Sequence, residues 1–182
     1  MEIDSYLVLH KSDASRKWAS NDGYKDQPTR FYEFDSTVKN GSKLVLGTRI
    51  FLREDDFLIG TGIITGIDTS TGLKNRHLCP KCSKATLGKT NAGFTCTTCK
   101  EHFNVNEITT ENLRVLKTRV WYKNTWQFAT DPLHRMFVED FMATKDLQSA
   151  IRRVDSGLVL SLMEKIGCSS ETNTENNEFN FS

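Results

Sequence analysis

The sequence predicts a mainly β domain of the α+β class: a small barrel with an inserted four-cysteine ribbon and a C-terminal pair of helices. Short apolar and aromatic runs separated by turn residues fill residues 1–130, as expected for the strands of a small barrel. Two Cys-x-x-Cys motifs interrupt these runs and locate the ribbon at about residues 77–103. Apolar residues recur at helical spacing over residues 131–168, and the polar residues 169–182 predict a disordered tail.

The predicted strands follow one another in the first half of the chain. Residues 3–10 form an apolar, β-favouring run, and residues 31–34 form an aromatic one. Residues 44–52 and 57–67 predict a hairpin around an acidic turn. Glycines inside its second strand, such as Gly60, indicate a bulge, strong curvature or a closely approaching backbone.

Helices are predicted near both ends of the chain. A short helix is expected at residues 12–18, where serine and aspartate can cap its first turn. After the ribbon, alternation over residues 114–122 predicts a further strand. Beyond Pro132, a first helix would run to Val154 and a second would cover residues 158–166.

The charge is unevenly distributed along the chain. The 182 residues carry a formal net charge of only +1, but residues 74–100 contain six Lys or Arg and no acid. The tail from Glu171 onward contains three Glu and no base. A polyanion could therefore bind the ribbon although the whole molecule is nearly neutral.

The expected compartment is the cytoplasm. The first residues lack the basic and apolar segments of a signal peptide. No run approaches the roughly 18 consecutive apolar residues that a membrane span requires. We expect no association with a membrane.

The cysteines are the most specific signal in the sequence. Cys79 and Cys82 form the first motif, Cys96 and Cys99 form the second, and thirteen residues separate the two. Four thiolates at this spacing can close a tetrahedral site around one Zn²⁺, which would stabilise the fold and leave no open coordination position for catalysis. Two disulfides or free thiols are the alternatives, but no other feature indicates an oxidising compartment. Cys168 is expected to be a buried or half-buried thiol.

The sequence lacks the motifs typical of a serine nucleophile and of phosphate-binding loops. It has no Gly-x-Ser-x-Gly elbow and no glycine-rich phosphate loop. His77 and His102 flank the cysteine motifs, but the segment between the motifs is too short for a His-Asn-His nuclease finger. We therefore expect a binding protein and not an enzyme.

Aromatic residues interleaved with Lys and Arg are the second signal. They cluster before residue 35 and again at residues 121–128. Aromatic rings can stack on bases while cations hold phosphates, although such rings also dominate protein cores. The candidate phosphate-binding residues are Arg16, Lys17, Arg30, Lys43, Arg49, Lys84, Lys89 and Arg119.

The order of these elements resembles the PUA-like superfamily, and most of all the EVE-type reader domains of modification-dependent restriction systems. The resemblance covers residues 3–128, interrupted by the ribbon. The residues that carry it are Tyr24-x-Asp26, Arg30-Phe31-Tyr32-x-Phe34, Val38-x-x-Gly41, the strand containing Arg49, and Gly60-Thr61-Gly62. The ribbon is not a standard part of such a domain, and no nuclease follows within the chain.

The resemblance implies a PUA-like barrel whose aromatic pocket holds one modified base flipped out of double-stranded DNA. Stacking and pocket contacts would offset the few kcal/mol that flipping costs. The functional partner would be a separate effector nuclease, or the chain would be the reader part of a longer protein. By position, the residues implied in the pocket are Trp18, Tyr24, Asp26, Tyr32, Trp121 and Trp126, with Asn21 as an alternative to Asp26.

The sequence leaves two alternative functions open. Related barrels also bind modified RNA, and a basic ribbon suits single strands. The chain could instead be a zinc-stabilised subunit that binds other proteins. That alternative predicts an exposed apolar stripe containing Phe137, Phe141 and Ile151.

Overall fold

The computed structural model describes residues 4–12, 24–146 and 149–168, and within these ranges the fold is mainly β, with 48% strand and 17% helix. The strands are β1 (Tyr6–His10), β2 (Phe31–Asp35), β3 (Arg49–Glu54), β4 (Phe57–Ile63), β5 (Gly66–Leu78), β6 (Leu87–Thr90), β7 (Gly93–Cys96), β8 (His102–Phe103), β9 (Thr109–Trp121), β10 (Gln127–His134) and β11 (Ile151–Arg153). The α-helices are α1 (Arg135–Val138) and α2 (Val159–Lys165).

A five-stranded sheet in the order β10-β4-β3-β1-β11 forms the centre of the body, which we define as the described residues outside 66–121. Strands β3 and β4 make the predicted hairpin, and β1 runs parallel to β3. Successive side chains of a strand point to opposite faces, so Tyr6 and Val8 enter one core cluster while Leu7 enters another. Both faces of this sheet are covered, which explains the unbroken apolar run in β1.

A second sheet covers one face of the body. Its order is β2-β9-β5, and Tyr32, Phe34 and Val120 pack with the first core cluster. On the opposite face, α2 contributes Leu162 and Met163 to the second cluster. The predicted closed barrel is not found among the described residues, because the strands form separate open sheets.

The longest strands form an arm, which we define as residues 66–121. Strands β5 and β9 pair at thirteen successive positions, from Gly66 with Trp121 to Leu78 with Thr109. Strand β2 pairs with β9 only from Trp121 to Lys117, so the outer part of the arm has two strands. The ribbon, residues 79–108, lies at the tip of these strands and contains the small sheet β6-β7-β8.

The first predicted C-terminal helix is wrong over most of its length. Among its described residues, only α1 and a 3₁₀ turn at Glu139–Phe141 are helical, whereas Ile151 begins β11 and Val154 bridges Met142 in extended conformation. Both residues are β-branched and fully buried, so pairing with β1 and core contacts outweigh the helical spacing of the sequence. The second predicted helix is confirmed as α2.

The C-terminal segment belongs to the same sheet as the N-terminal strands. Strand β10 crosses the boundary predicted at residues 130 and 131 and pairs with β4, and β11 pairs with β1. Pro132 is tolerated because it lies between Phe128 and Leu133, where the pairing of β10 with β4 is interrupted. The predicted helix at residues 12–18 and the predicted tail at residues 169–182 lie outside the described residues.

No helix in the described ranges has the length and apolar character needed to cross a membrane.

Candidate functional site

The four cysteine thiols of the ribbon converge on one point. Every pair of their sulfur atoms lies within 4.8 Å. The Sγ atoms of Cys79 and Cys99 are 3.6 Å apart, and those of Cys82 and Cys96 are also 3.6 Å apart. A disulfide would bring two sulfurs to about 2.05 Å, so these are four separate thiols.

Two backbone turns of the same design hold the thiols. In the first, the N–H of Ser83 donates to the carbonyl of Cys79, and the N–H of Cys79 donates to the carbonyl of Lys84. In the second, Lys100 and Glu101 make the same contacts with Cys96. The residue after each second cysteine has a positive φ, 55° at Ser83 and 64° at Lys100, which closes each turn tightly.

The spacing of the thiols fits a metal ion. Four sulfurs at about 2.3 Å from a central ion lie about 3.8 Å from one another in a tetrahedron, close to the distances in this cluster. Hydrogen bonds from the Thr86 hydroxyl and the Cys99 amide lower the pKa of the Cys96 thiol, while the pKa values of Cys82 and Cys99 are raised in the same cluster, so Cys96 is the thiol that ionises first. Such donors favour the thiolate, which is the form that binds metals. The four cysteines can therefore hold one metal ion.

The ribbon has little apolar material of its own. Its cluster contains buried Leu87 with partly buried Phe94, Phe103 and Ile108 around the cysteines. A segment of this size cannot bury enough apolar surface to fold unaided, and such segments usually depend on a metal or on disulfides.

A cleft of about 500 Å³ lies where the arm joins the body. Its walls include Tyr24, Asp35, Asp68, Lys74 and Lys117. The volume falls in the range of sites for small ligands.

Asp35 connects three segments at this cleft. It is 2% exposed, and its carboxylate accepts hydrogen bonds from Tyr24 Oη at 2.7 Å and from the backbone and hydroxyl of Thr37. Lys74 on β5 lies 2.8 Å from the same carboxylate. Burial alone would raise the pKa of Asp35, but the hydrogen bonds from Lys74, Thr37 and Tyr24 outweigh it and hold the pKa at about 2. Burial and the Asp35 carboxylate raise the pKa of Tyr24.

Arg119 forms the neighbouring wall of the cleft. Its guanidinium pairs with Glu33 on β2 and lies 4.2 Å from the ring centre of Phe31 and 5.2 Å from that of Trp121. The indole N–H of Trp121 donates to Asp68 Oδ2 at 2.6 Å. The strands of the arm therefore present a charged surface on the side of the sheet that faces the cleft.

The structure separates the residues predicted to form a base pocket. Tyr24 lines the cleft, and Trp121 borders it through the hydrogen bond to Asp68. Tyr32 is instead a core residue, and Trp126 packs against the same core. Both rings therefore belong to the core of the body and do not form an open pocket.

Asp26 is engaged within the fold. One carboxylate oxygen lies 3.1 Å from His10 Nδ1, and the other accepts the N–H of Glu33 at 2.6 Å. Trp18 and Asn21 lie outside the described residues.

The predicted phosphate contacts are spread over the surface. Arg16 and Lys17 lie outside the described residues. Of the other six, Arg30 and Lys43 are exposed on the body, Lys84 and Lys89 are exposed on the ribbon, and Arg49 and Arg119 are partly buried. The apolar stripe expected for a protein-binding subunit is not formed, because Phe137 is 57% exposed while Ile151 is fully buried.

Sequence reasoning missed Asp35, Lys74, Asp68 and Lys117. The pairing of β5 with β9 brings Asp68 opposite Arg119 and Ser70 opposite Lys117. The sequence signal that could have revealed this pairing is the equal length of the two segments that flank the ribbon, Gly66–Leu78 and Thr109–Trp121.

Fold and site together define a mainly β protein with a four-cysteine cluster that can hold a metal ion. Comparisons with protein-family models, curated proteins and solved structures give no match for the chain.

Proposed function

We propose that the chain is a nucleic-acid-binding module with no catalytic role of its own, stabilised by a structural Zn²⁺ in the four-cysteine cluster. The observation that carries this proposal is the separation of charge between the arm and the body. The arm contains nine Lys and Arg against four Asp and Glu, a charge of +5, while the whole chain has +1. The rest of the chain is therefore negative, so a polyanion is attracted to the arm more strongly than to the body.

The tip of the arm is the best phosphate contact. Lys84 and Lys89 are exposed there and form no ion pair with any described residue. Lys81 differs, because it pairs with Glu101 across the two turns. Lys84 and Lys89 can therefore neutralise phosphates without breaking an existing ion pair.

Zinc is the metal that best suits the cluster. Four thiolates in tetrahedral arrangement favour Zn²⁺ over harder ions such as Mg²⁺ or Ca²⁺. With four protein ligands the ion would have no open position, so its role would be to stabilise the ribbon that carries the lysines.

The target that we propose is a modified base in double-stranded DNA, flipped out of the helix. The cleft beside Tyr24 supports this idea because it lies at the base of the positively charged arm and has the volume of a small-ligand site. The resemblance to modified-base readers agrees with it. An RNA target is the alternative, since the arm alone would bind either polymer.

The test is binding of the purified chain to matched duplexes, unmodified or carrying one modified base, and to the corresponding RNA, at two salt concentrations. Replacing Lys84 and Lys89 with Gln is expected to lower the salt dependence by about one counterion per phosphate contact without changing the base preference. The matched control replaces Lys145 and Lys165, which are exposed outside the arm. Equal effects of the two double variants, or no binding by the wild type, would contradict the proposal.

A further inference from the structure

Some polar groups in the cleft at the base of the arm already have partners within the protein, and others are available to a ligand. The two oxygens of Asp35 are occupied by Tyr24, Lys74 and Thr37, and Glu33 pairs with Arg119. These internal contacts join the walls of the cleft to one another. They also mean that a ligand must use the groups that remain.

The charged groups of the cleft that remain available to a ligand include Asp68 and Lys117. Asp68 accepts the indole N–H of Trp121 through one oxygen, and its other oxygen has no hydrogen bond to any described residue. Lys117 forms no ion pair in the described part of the chain, and its side chain lies over Gly72, where an added Cβ would be 2.7 Å from Lys117 Cε. The cleft therefore offers an acceptor carboxylate and a cation on neighbouring strands.

The position of these groups follows from strand register. Asp68 lies opposite Arg119, and Ser70 lies opposite Lys117 one row further along the arm. Residues directly opposite in an antiparallel pair share a face, so Asp68 and Lys117 belong to the same face of the sheet. Tyr24 supplies an aromatic ring to the same cleft.

This combination matches the chemistry of a single nucleotide. The ring of Tyr24 offers a surface for a base, Lys117 offers a partner for a phosphate, and the carboxylate of Asp68 can accept from an exocyclic amino group. A carboxylate repels the oxo group that thymine and uracil carry at the corresponding position. We propose that the cleft holds one nucleotide and that Asp68 makes it prefer a base with an exocyclic amino group. This inference rests on the proposed function.

The test compares two bases that differ at this group and at the adjacent N3, which carries a proton only in thymine. 5-Methylcytosine and thymine are both 5-methylpyrimidines, with an amino and an oxo group respectively at position 4. Each is placed opposite an abasic site in an otherwise identical duplex, so that no base pair has to be broken. We expect the wild type to bind the 5-methylcytosine duplex about tenfold more tightly.

The variant Asp68→Asn is expected to abolish or reverse this preference. Its amide oxygen can still accept from Trp121, while its amino group would favour the oxo group of thymine. Glu111→Gln is the matched control, because it removes one negative charge from the outer arm, where Glu111 pairs with Arg76. Metal content and circular dichroism check that both variants are folded.

Equal binding of the two duplexes by the wild type would overturn the inference and leave the proposed function intact. Retention of the full preference by Asp68→Asn would also overturn it. No binding of either duplex by the wild type would overturn the proposed function, and the inference with it.

Discussion

At the scale of single residues, Asp35 is the side chain on which the junction of arm and body most depends. It joins Tyr24 from the preceding loop, Thr37 from the following turn and Lys74 from the arm. Removing one partner from a buried and hydrogen-bonded charge leaves the others unsatisfied, which costs more than the net strength of each bond. A substitution of Asp35 is therefore expected to affect the loop, the turn and the arm together.

We expect Asp35→Asn to lower the free energy of unfolding by about 1–3 kcal/mol, measured by urea denaturation. The control is Asp56→Asn, because Asp56 pairs with Arg135 at an exposed site, where the loss is expected to stay below about 1 kcal/mol. Similar losses in both variants would show that the Asp35 contacts add nothing beyond an ordinary surface pair.

The pH dependence of stability gives an independent prediction. The pKa of Asp35 is lowered from 3.8 to about 2, so its ionised form is favoured in the folded protein. A lowered acid pKa stabilises the fold above the unfolded-state pKa, and this contribution is lost as the pH falls from about 4 towards 2. Wild type and Asp35→Asn should therefore converge in stability over this interval. A constant difference between them would contradict the assignment.

At the scale of elements, the ribbon and β4 show two ways in which the sequence determines local structure. The structure of the ribbon depends on two turns and four thiols, because its apolar core is very small. Strand β4, in contrast, requires a residue without a side chain at Gly60. A Cβ on Gly60 would lie 2.4 Å from the carbonyl oxygen of Gln127 and 2.6 Å from the ring of Trp126.

Cys82→Ser is expected to remove bound zinc and the amide protection of the ribbon, because metal binding supplies its folding free energy. The five-stranded sheet should remain protected. Hydrogen exchange and metal analysis are the measurements. Cys168→Ser is the control, because Cys168 lies outside the cluster and contacts β10. A ribbon that stays protected without metal would refute the structural role of zinc.

Gly60→Ala should destabilise the protein by about 1–3 kcal/mol or more, because the neighbouring strand has to move. Gly66→Ala is the matched control. Its added Cβ would meet Trp121 at 3.5 Å, an ordinary contact, and the loss of glycine flexibility in the unfolded chain should make it neutral or slightly stabilising. Thermal unfolding of the two variants distinguishes them, and equal melting temperatures would show that β10 accommodates the methyl group.

At the scale of the whole molecule, the sequence predicts local elements better than their assembly. The β3–β4 hairpin, the strands β1 and β2, the cysteine cluster and α2 follow from local patterns, because turns, apolar runs and motif spacing are properties of neighbouring residues. The pairing of β11 with β1 joins residues more than 140 positions apart, and no local pattern encodes it. The cleft was not predicted because its walls come from segments that are distant in sequence.

Two deletions test this account of the assembly. Removing residues from 151 onward takes away β11 and the buried residues Leu162 and Met163, so the body should unfold. Replacing residues 79–108 with Asn-Gly joins the paired residues Leu78 and Thr109 through a two-residue hairpin turn and should leave the body folded. Circular dichroism melts compare the two. A cooperative melt in the first deletion would show that the C-terminal segment is an independent appendage.

The outer, two-stranded part of the arm is a lever. It runs from the Ser70–Lys117 pair to the Leu78–Thr109 pair, about 27 Å at the rise of an antiparallel strand. A rotation of about ten degrees at the inner end would therefore move the cysteine ribbon by about 5 Å. Because Lys74 joins the arm to Asp35 of the body, this one contact helps to set the position of the ribbon relative to the cleft.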